Sequence, residues 1–224
     1  LGGGPGRGGA ARLSARAALR VGAGLVTLGC PPDALAENAA RLDAVMLSPI
    51  ADRAALTDLL DDARLNALGL GPGLGLARAR ELVPAALASG RAVLLDADAL
   101  TAFADEPEAL FVQLHPQAVL TPHDGEFARL FPDLARQLTA PTERGPAFSR
   151  LDAARQAAER AGCTVLLKGP DTVISAADGT ARIAAAVGEN AAPWLATAGS
   201  GDVLAGIITG LLARGLPPLD AAAT

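Results

Sequence analysis

Short uncharged runs of Leu, Val and Ala alternate along this chain with longer Ala/Leu/Arg segments of helical period. The short runs predict strands at Leu25–Leu28, Ala67–Leu70, Ala92–Asp96, Ala118–Leu120, Thr164–Lys168, Thr172–Ser175 and Arg182–Ala186. The longer segments predict helices at Ala10–Val21, Ala51–Asp62, Ala77–Ser89, Asp124–Leu130, Leu151–Ala161 and Asp202–Arg214. In Leu151–Ala161 the charged Asp152, Arg155, Glu159 and Arg160 share a wet side while alanines face inward. Strands such as Ala-Val-Leu-Leu show no polar alternation, so both faces of their sheet must be covered. The expected architecture is therefore α/β, three layers α/β/α around a mostly parallel sheet. One piece departs from the alternation. Thr172–Ser175, Ala-Ala-Asp-Gly and Thr180–Ala186 read as an antiparallel hairpin closed by Asp178-Gly179, toward one sheet edge. The stretch Thr139–Ser149, with two prolines and a glycine, reads as a loop.

A length of 224 residues is compatible with one domain that buries roughly 70–75% of its unfolded surface. The ends suggest that domain 1–224 is truncated, lacking a strand before Gly2-Gly3-Gly4-Pro5-Gly6 and one or two helices after Ala221–Thr224. A net charge of −5, with arginines scattered singly, argues against a nucleic-acid or anionic-membrane binder. No apolar run is long enough for a transmembrane helix. No charged segment heads an apolar core in the manner of a secretory leader, so a cytoplasmic soluble protein is expected. Cys30 and Cys163 lack a Cys-x-x-Cys or histidine neighbour and read as small buried hydrophobes.

The polar and glycine-rich motifs fall at C-terminal strand ends, where open α/β sheets bind ligands. Gly71-Pro72-Gly73-Leu74-Gly75 follows the second predicted strand and would let backbone approach an anionic ligand, or simply turn the chain. As a dinucleotide fingerprint it fails at Leu76, although Asp96 lies 21 residues beyond Gly75 at a strand end. Gly4-Pro5-Gly6-Arg7-Gly8-Gly9 fits that fingerprint without a visible preceding strand. Asp96 and Asp98 could hold Mg²⁺ through water, and Asp98 could equally cap a helix. Thr121-Pro122-His123-Asp124-Gly125-Glu126 sets His123 at a strand end, where a ligand contact is the favoured reading over a surface histidine.

Lys168 is the one lysine beside eighteen arginines, and it precedes Gly169-Pro170-Asp171-Thr172. An ammonium there could meet a nucleotide phosphate. Its expected place is away from the helix start that carries Asp202. Gly199-Ser200-Gly201 runs straight into an apolar helix, so its N–H groups make an anion hole for charge developing in phosphoryl transfer. A carboxylate at that spot would repel phosphate. Asp202 therefore reads as a base that takes a proton from an attacking hydroxyl, with helix capping as the plainer alternative.

Gly-Ser-Gly-Asp opening a late helix resembles the ribokinase-like superfamily. The whole set resembles the ADP/ATP-dependent (S)-NAD(P)H-hydrate dehydratase family: Gly9-Ala10 with Leu19–Val26, Gly71–Gly75, Asp96–Leu100, Thr121-Pro122-His123, Gly125-Glu126, Leu167-Lys168-Gly169 and Leu195–Gly206. The resemblance implies phosphorylation of the ring hydroxyl of hydrated NADH or NADPH, then phosphate loss that restores NAD(P)H. It implies that Ala10, Gly73, His123 and Asp202 contact the hydrated dinucleotide, with Asp202 as base. It places Lys168, Gly169, Pro170, Asp171, Thr172 and Gly201 on the adenine nucleotide, ADP or ATP, with Mg²⁺ on the phosphates. It further implies a homo-oligomer, a tetramer among the arrangements, and fusion or pairing with an NAD(P)H-hydrate epimerase. Two other readings are a ribokinase-like kinase for a vitamin-precursor alcohol and a non-catalytic dinucleotide-binding module.

Overall fold

The structure is a computed structural model that describes residues 1–141 and 145–224. Its first elements are α1 (Gly8–Arg20), β1 (Thr27–Cys30), α2 (Leu35–Ala39), β2 (Met46–Pro49), α3 (Arg53–Leu59), β3 (Ala67–Leu70), α4 (Leu76–Ala88), β4 (Ala92–Leu95), α5 (Asp98–Thr101) and α6 (Pro107–Phe111). They continue with β5 (Ala118–Leu120), α7 (Asp124–Leu130), α8 (Pro132–Thr139), α9 (Arg150–Ala161), β6 (Thr164–Leu167), β7 (Asp171–Ser175), β8 (Ala181–Ala185), α10 (Ser200–Ala213) and α11 (Pro218–Ala223).

The larger sheet runs β3-β4-β5-β6-β7-β8, with β3 to β6 parallel and β6, β7 and β8 antiparallel. The expected hairpin sits at its edge. Alternate residues of the central strands serve opposite faces. Val93, Leu95, Leu120, Val165 and Leu167 pack with Ala79 and Leu82 of α4 and Ala153 and Ala157 of α9. Leu94, Val119, Leu166 and Ile174 pack with Ala205, Ile208 and Leu211 of α10. Both faces are covered, as the uncharged strands require. On α9 Arg155, Glu159 and Arg160 are exposed while Ala153, Ala154, Ala157, Ala158 and Ala161 are buried.

The N-terminal third departs from expectation. The strand expected at Leu25–Leu28 lies at Thr27–Cys30, because it pairs in parallel with β2, from Thr27 beside Met46 to Cys30 beside Pro49. Leu1 and Gly2 lie between this pair and the larger sheet: Gly2 N–H donates to Gly29 O (2.7 Å) and Leu1 N to Gly69 O (2.6 Å). An apolar slot of about 130 Å³, lined by Leu28, Leu56, Leu68, Leu94 and Ala205, runs beside them. The helix expected at Ala51–Asp62 is confined to α3, because Asp52 caps it by accepting the Ala55 N–H at 2.9 Å. The predicted loop 139–149 overlaps the last residue of α8 and ends at Ser149, the cap of α9; its residues 142–144 lie outside the described ones.

α1 crosses α10 through small residues, and this contact places the start of α10. A Cβ on Gly206 would lie 2.1 Å from Ser14 O, and Ser14 Oγ donates to Asp202 O at 2.7 Å. Gly206→Ala must push the two backbones apart. It is expected to destabilise the fold toward the upper end of the about 1–3 kcal/mol that overpacking costs. Chemical denaturation checks this, and an unchanged midpoint would contradict so close an approach.

Candidate active site

The C-terminal ends of β3, β4, β5 and β6 bring their loops to one edge of the sheet, against the start of α10. After β3 the backbone of Gly71 takes φ +131°, and a Cβ there would lie 1.6 Å from Asp96 O. Only glycine fits. Asp98 accepts the Gly75 N–H at 2.8 Å, tying the 71–75 loop to the β4 end. This corrects the capping expectation for Asp98: its carboxylate is engaged by that loop and does not cap α5, whose preceding residue is Ala97. The two glycine loops also touch, since a Cβ on Gly73 would lie 2.8 Å from Arg7 O and 3.4 Å from Ala10 Cβ. In the 4–9 loop the Gly6 N–H goes to Glu37 Oε2 at 2.6 Å, so that amide serves the fold. Ala10 and Gly73, assigned to one ligand by resemblance, are neighbours.

Asp96, 2% exposed, is held by Lys168 Nζ at 2.7 Å. The same ammonium is 3.9 Å from Glu126 Oε2 and 3.7 Å from where a Gly201 Cβ would stand. Lys168 is thus central, at the α10 start, and not away from it as expected. The pleat explains why. Lys168 lies two residues beyond Leu166, so it shares the face that Leu166 presents to α10.

His123 caps α7: its Nδ1 accepts the Gly125 and Glu126 N–H groups at 2.9 and 3.3 Å, and Glu126 Oε2 accepts the His123 N–H at 2.9 Å. A neutral ring whose Nδ1 accepts carries its proton on Nε2. That nitrogen lies 3.4 Å from Glu126 Oε1, and the ring is largely exposed. His123 therefore has a capping duty that the sequence reading did not assign, and it offers an N–H donor outward. Burial, with the Asp96 charge adding, pushes the Glu126 carboxyl above its usual range against the opposing His123 N–H and Lys168.

At the start of α10, Gly199 takes φ +93°, and its carbonyl accepts the Val203 N–H at 3.0 Å. Ser200 turns back, its N–H and Oγ reaching Thr197 O at 3.4 and 2.9 Å. The Ser200 N–H is thereby drawn out of the expected anion hole. The Gly201 and Asp202 N–H groups, in the first turn, have no intrahelical carbonyl to meet. Asp202 stands among them half-buried. Burial first, then the Asp96 charge, pushes its carboxyl upward, with Lys168 opposing. Beyond Lys168, Thr172 closes the next turn: its Oγ1 accepts the Gly169 N–H (3.2 Å) and donates to Gly169 O (2.8 Å). Pro170 O accepts the Ala186 N–H at 2.7 Å, and Asp171 opens β7 half-exposed.

Glu126 was named from sequence in the Thr121–Glu126 motif but was given no role, and two further residues around this edge were not singled out. Ser14 and Arg150 carry no local signal. Among the described residues no group of three or more His, Cys, Asp or Glu side chains could hold a metal ion, and no helix is long and apolar enough to cross a membrane.

The sequence profile of the NAD(P)H-hydrate dehydratase family matches residues 1–224. A bifunctional NAD(P)H-hydrate repair enzyme of Gloeobacter violaceus is 39% identical over 92% of this chain. The chain spans 38% of that relative's length. Among solved structures, a ribokinase-like superfamily protein of Enterococcus faecalis superposes with TM-score 0.76 at 28% identity, covering 99% of this chain and 72% of its own. An ADP/ATP-dependent NAD(P)H-hydrate dehydratase of Bacillus subtilis, co-crystallized with ATP and Mg²⁺, gives TM-score 0.74 at 27% identity, covering 100% and 74%. The fold is three-layer and ribokinase-like, and the chain belongs to the NAD(P)H-hydrate dehydratase family.

Proposed function

We propose that this protein repairs NAD(P)H hydrate in a nucleotide-dependent dehydration, a carbon–oxygen lyase reaction. The observation that carries this reading is the Lys168 ammonium, paired with buried Asp96 beside the N–H groups of Gly201 and Asp202. Phosphoryl transfer needs donors and positive charge where phosphate charge develops, with a base beside them. Asp202 takes the proton of the ring hydroxyl as that oxygen bonds to the terminal phosphorus of ADP or ATP, and the bond from that phosphorus to its bridging oxygen breaks to release AMP or ADP. Phosphate, a better leaving group than hydroxide, then departs with loss of a ring proton, and the dihydropyridine is restored.

Site assignments follow the same reading. Ala10, Gly73, His123 and Asp202 contact the hydrated dinucleotide. Lys168, Gly169, Pro170, Asp171, Thr172 and Gly201 hold the adenine nucleotide, and the Gly201 and Asp202 N–H groups, after the turn at Gly199, form the anion hole. Three carboxylates, Asp96, Glu126 and Asp202, surround one ammonium, an excess of negative charge that suits a cation arriving on the nucleotide. Mg²⁺ keeps much of its water and needs only one or two carboxylates besides the phosphates. Asp96 and Glu126 would hold it, and it would neutralise phosphate charge.

We read residues 1–224 as one domain, in which Leu1 and Gly2 bond to both β3 and β1. The bifunctional naming of the curated relatives supports fusion to an epimerase. The exposed apolar Ile183, Val187, Trp194 and Leu195 support self-association into a homo-oligomer. The reading includes a cytoplasmic location, where the thiols of Cys30 and Cys163 would stay reduced.

Full-length protein incubated with hydrated NADH and ADP or ATP is expected to restore the absorbance of the reduced nicotinamide only when nucleotide is present. A stable phosphorylated product would instead indicate a small-alcohol kinase, and binding without turnover a dinucleotide module.

A further inference from the structure

Arg150 is the first residue of α9, and its guanidinium reaches two separate segments at three points. Nη1 donates to Asp124 Oδ1 at 2.6 Å, at the turn that His123 caps. Nη2 donates to the Lys168 carbonyl at 2.8 Å. Nε, buried and without a hydrogen bond of its own, lies 3.2 Å from Asp171 Oδ1. Gly169 lies directly against this fork: a Cβ there would stand 2.6 Å from Nη2. The bare Gly169 thus leaves the space that the guanidinium fills.

The arrangement links two sides of the active site. Asp124 adjoins His123, on the side read as dinucleotide-binding. Lys168, Gly169 and Asp171 form the loop read as nucleotide-binding. A guanidinium presents its donors in a rigid plane and can serve several acceptors at fixed angles, whereas an ammonium is a point charge.

We propose that Arg150 is a positioning residue: it braces the 168–171 loop in its nucleotide-binding shape and ties that loop to the α7 turn through Asp124. This inference rests on the nucleotide reading above. Arg150 touches no substrate. It acts through the Lys168 carbonyl, the space over Gly169 and the Asp171 carboxylate, so its loss should appear in nucleotide affinity before it appears in turnover.

The test compares full-length parent, Arg150→Ala, Arg150→Lys and Asp124→Asn. It measures the Kd of ADP by calorimetry, nucleotide KM and kcat with hydrated NADH, and Tm. Both Arg150 variants are expected to raise the ADP Kd and nucleotide KM about 10- to 100-fold, the loss of charged hydrogen bonds to the loop. The kcat at saturating nucleotide should stay within about threefold of the parent. Asp124→Asn should give a smaller rise, about two- to fivefold, because its carboxylate is largely exposed. If Arg150→Ala does not fold, the lysine and Asp124 variants carry the test. Parent-like ADP affinity in Arg150→Lys would overturn the proposal, as would a lowered Tm with unchanged ADP affinity in Arg150→Ala. A parent that binds ADP but does not repair the hydrate would defeat the functional reading while the ADP comparison still decides the role of Arg150. A parent that binds no ADP would overturn both.

Discussion

Asp202→Asn is expected to lower kcat by about 10²–10⁴-fold, the usual contribution of a positioned base, while the fold stays intact. Asparagine keeps the size of the side chain, and Asp202 makes no capping bond that it would lose, but the amide cannot take a proton. The sign of the stability change also follows. Burial and the nearby Asp96 charge raise the Asp202 carboxyl above its ordinary value. A raised acid contributes stability that is complete below its unfolded pKa and is lost as pH rises through the folded one. At neutral pH the charged form is therefore a small liability, and asparagine should leave Tm equal or slightly higher. In the parent, kcat/KM should fall on an acid limb lying above the usual Asp range, because the base must be ionised. Calorimetry and a pH–rate profile check both. Turnover within threefold of the parent would leave Asp202 without a catalytic role, as a first-turn carboxylate that makes no capping bond.

Lys168→Ala is expected to damage stability and chemistry together. From the sequence this residue stood apart from Asp202, so its loss would weaken nucleotide binding more than turnover. The structure overturns the premise, since Lys168 Nζ lies 2.7 Å from buried Asp96 and 3.7 Å from the Gly201 Cβ position. Removing it strands a carboxylate that is 2% exposed. Breaking such a pair costs about 3 kcal/mol, the low end of the buried range because the ammonium keeps some solvent. Losing a donor aimed at developing phosphate charge should lower kcat by about 10²–10³-fold. Adding Asp96→Asn to Lys168→Ala should recover most of the stability and none of the turnover. Denaturation curves and steady-state kinetics on the two variants decide this. A Lys168→Ala protein of parent stability, altered only in nucleotide KM, would contradict the central placement.

What could be read from sequence follows from how each element is stabilised. Strands β3 to β7 are short runs buried on both faces, and burial leaves a mark that needs no partner to interpret. β2 has no such mark: Met-Leu-Ser-Pro is partly exposed throughout and ends on proline. Its existence depends on pairing with β1, and missing it also shifted β1 by two residues. The glycine loops were legible as loops, but their partners were not. That Gly71 is pressed against Asp96 O, and Gly206 against Ser14 O, follows from tertiary approach and has no local pattern. His123 was legible as a strand-end histidine, yet its ring caps α7, a task more often given to Ser, Thr, Asp or Asn. Arg150 was hidden among eighteen arginines, most of them solvated. Only the fold shows which of them turns inward.

The most direct measurement is a rapid-quench single turnover of the full-length protein with terminally labelled ATP and hydrated NADH. The expected course is a transient phosphorylated hydrate that decays as inorganic phosphate and NADH rise together, one for one, and that never forms in Asp202→Asn. Phosphate release without NADH, or a phosphorylated species that persists, would contradict the account.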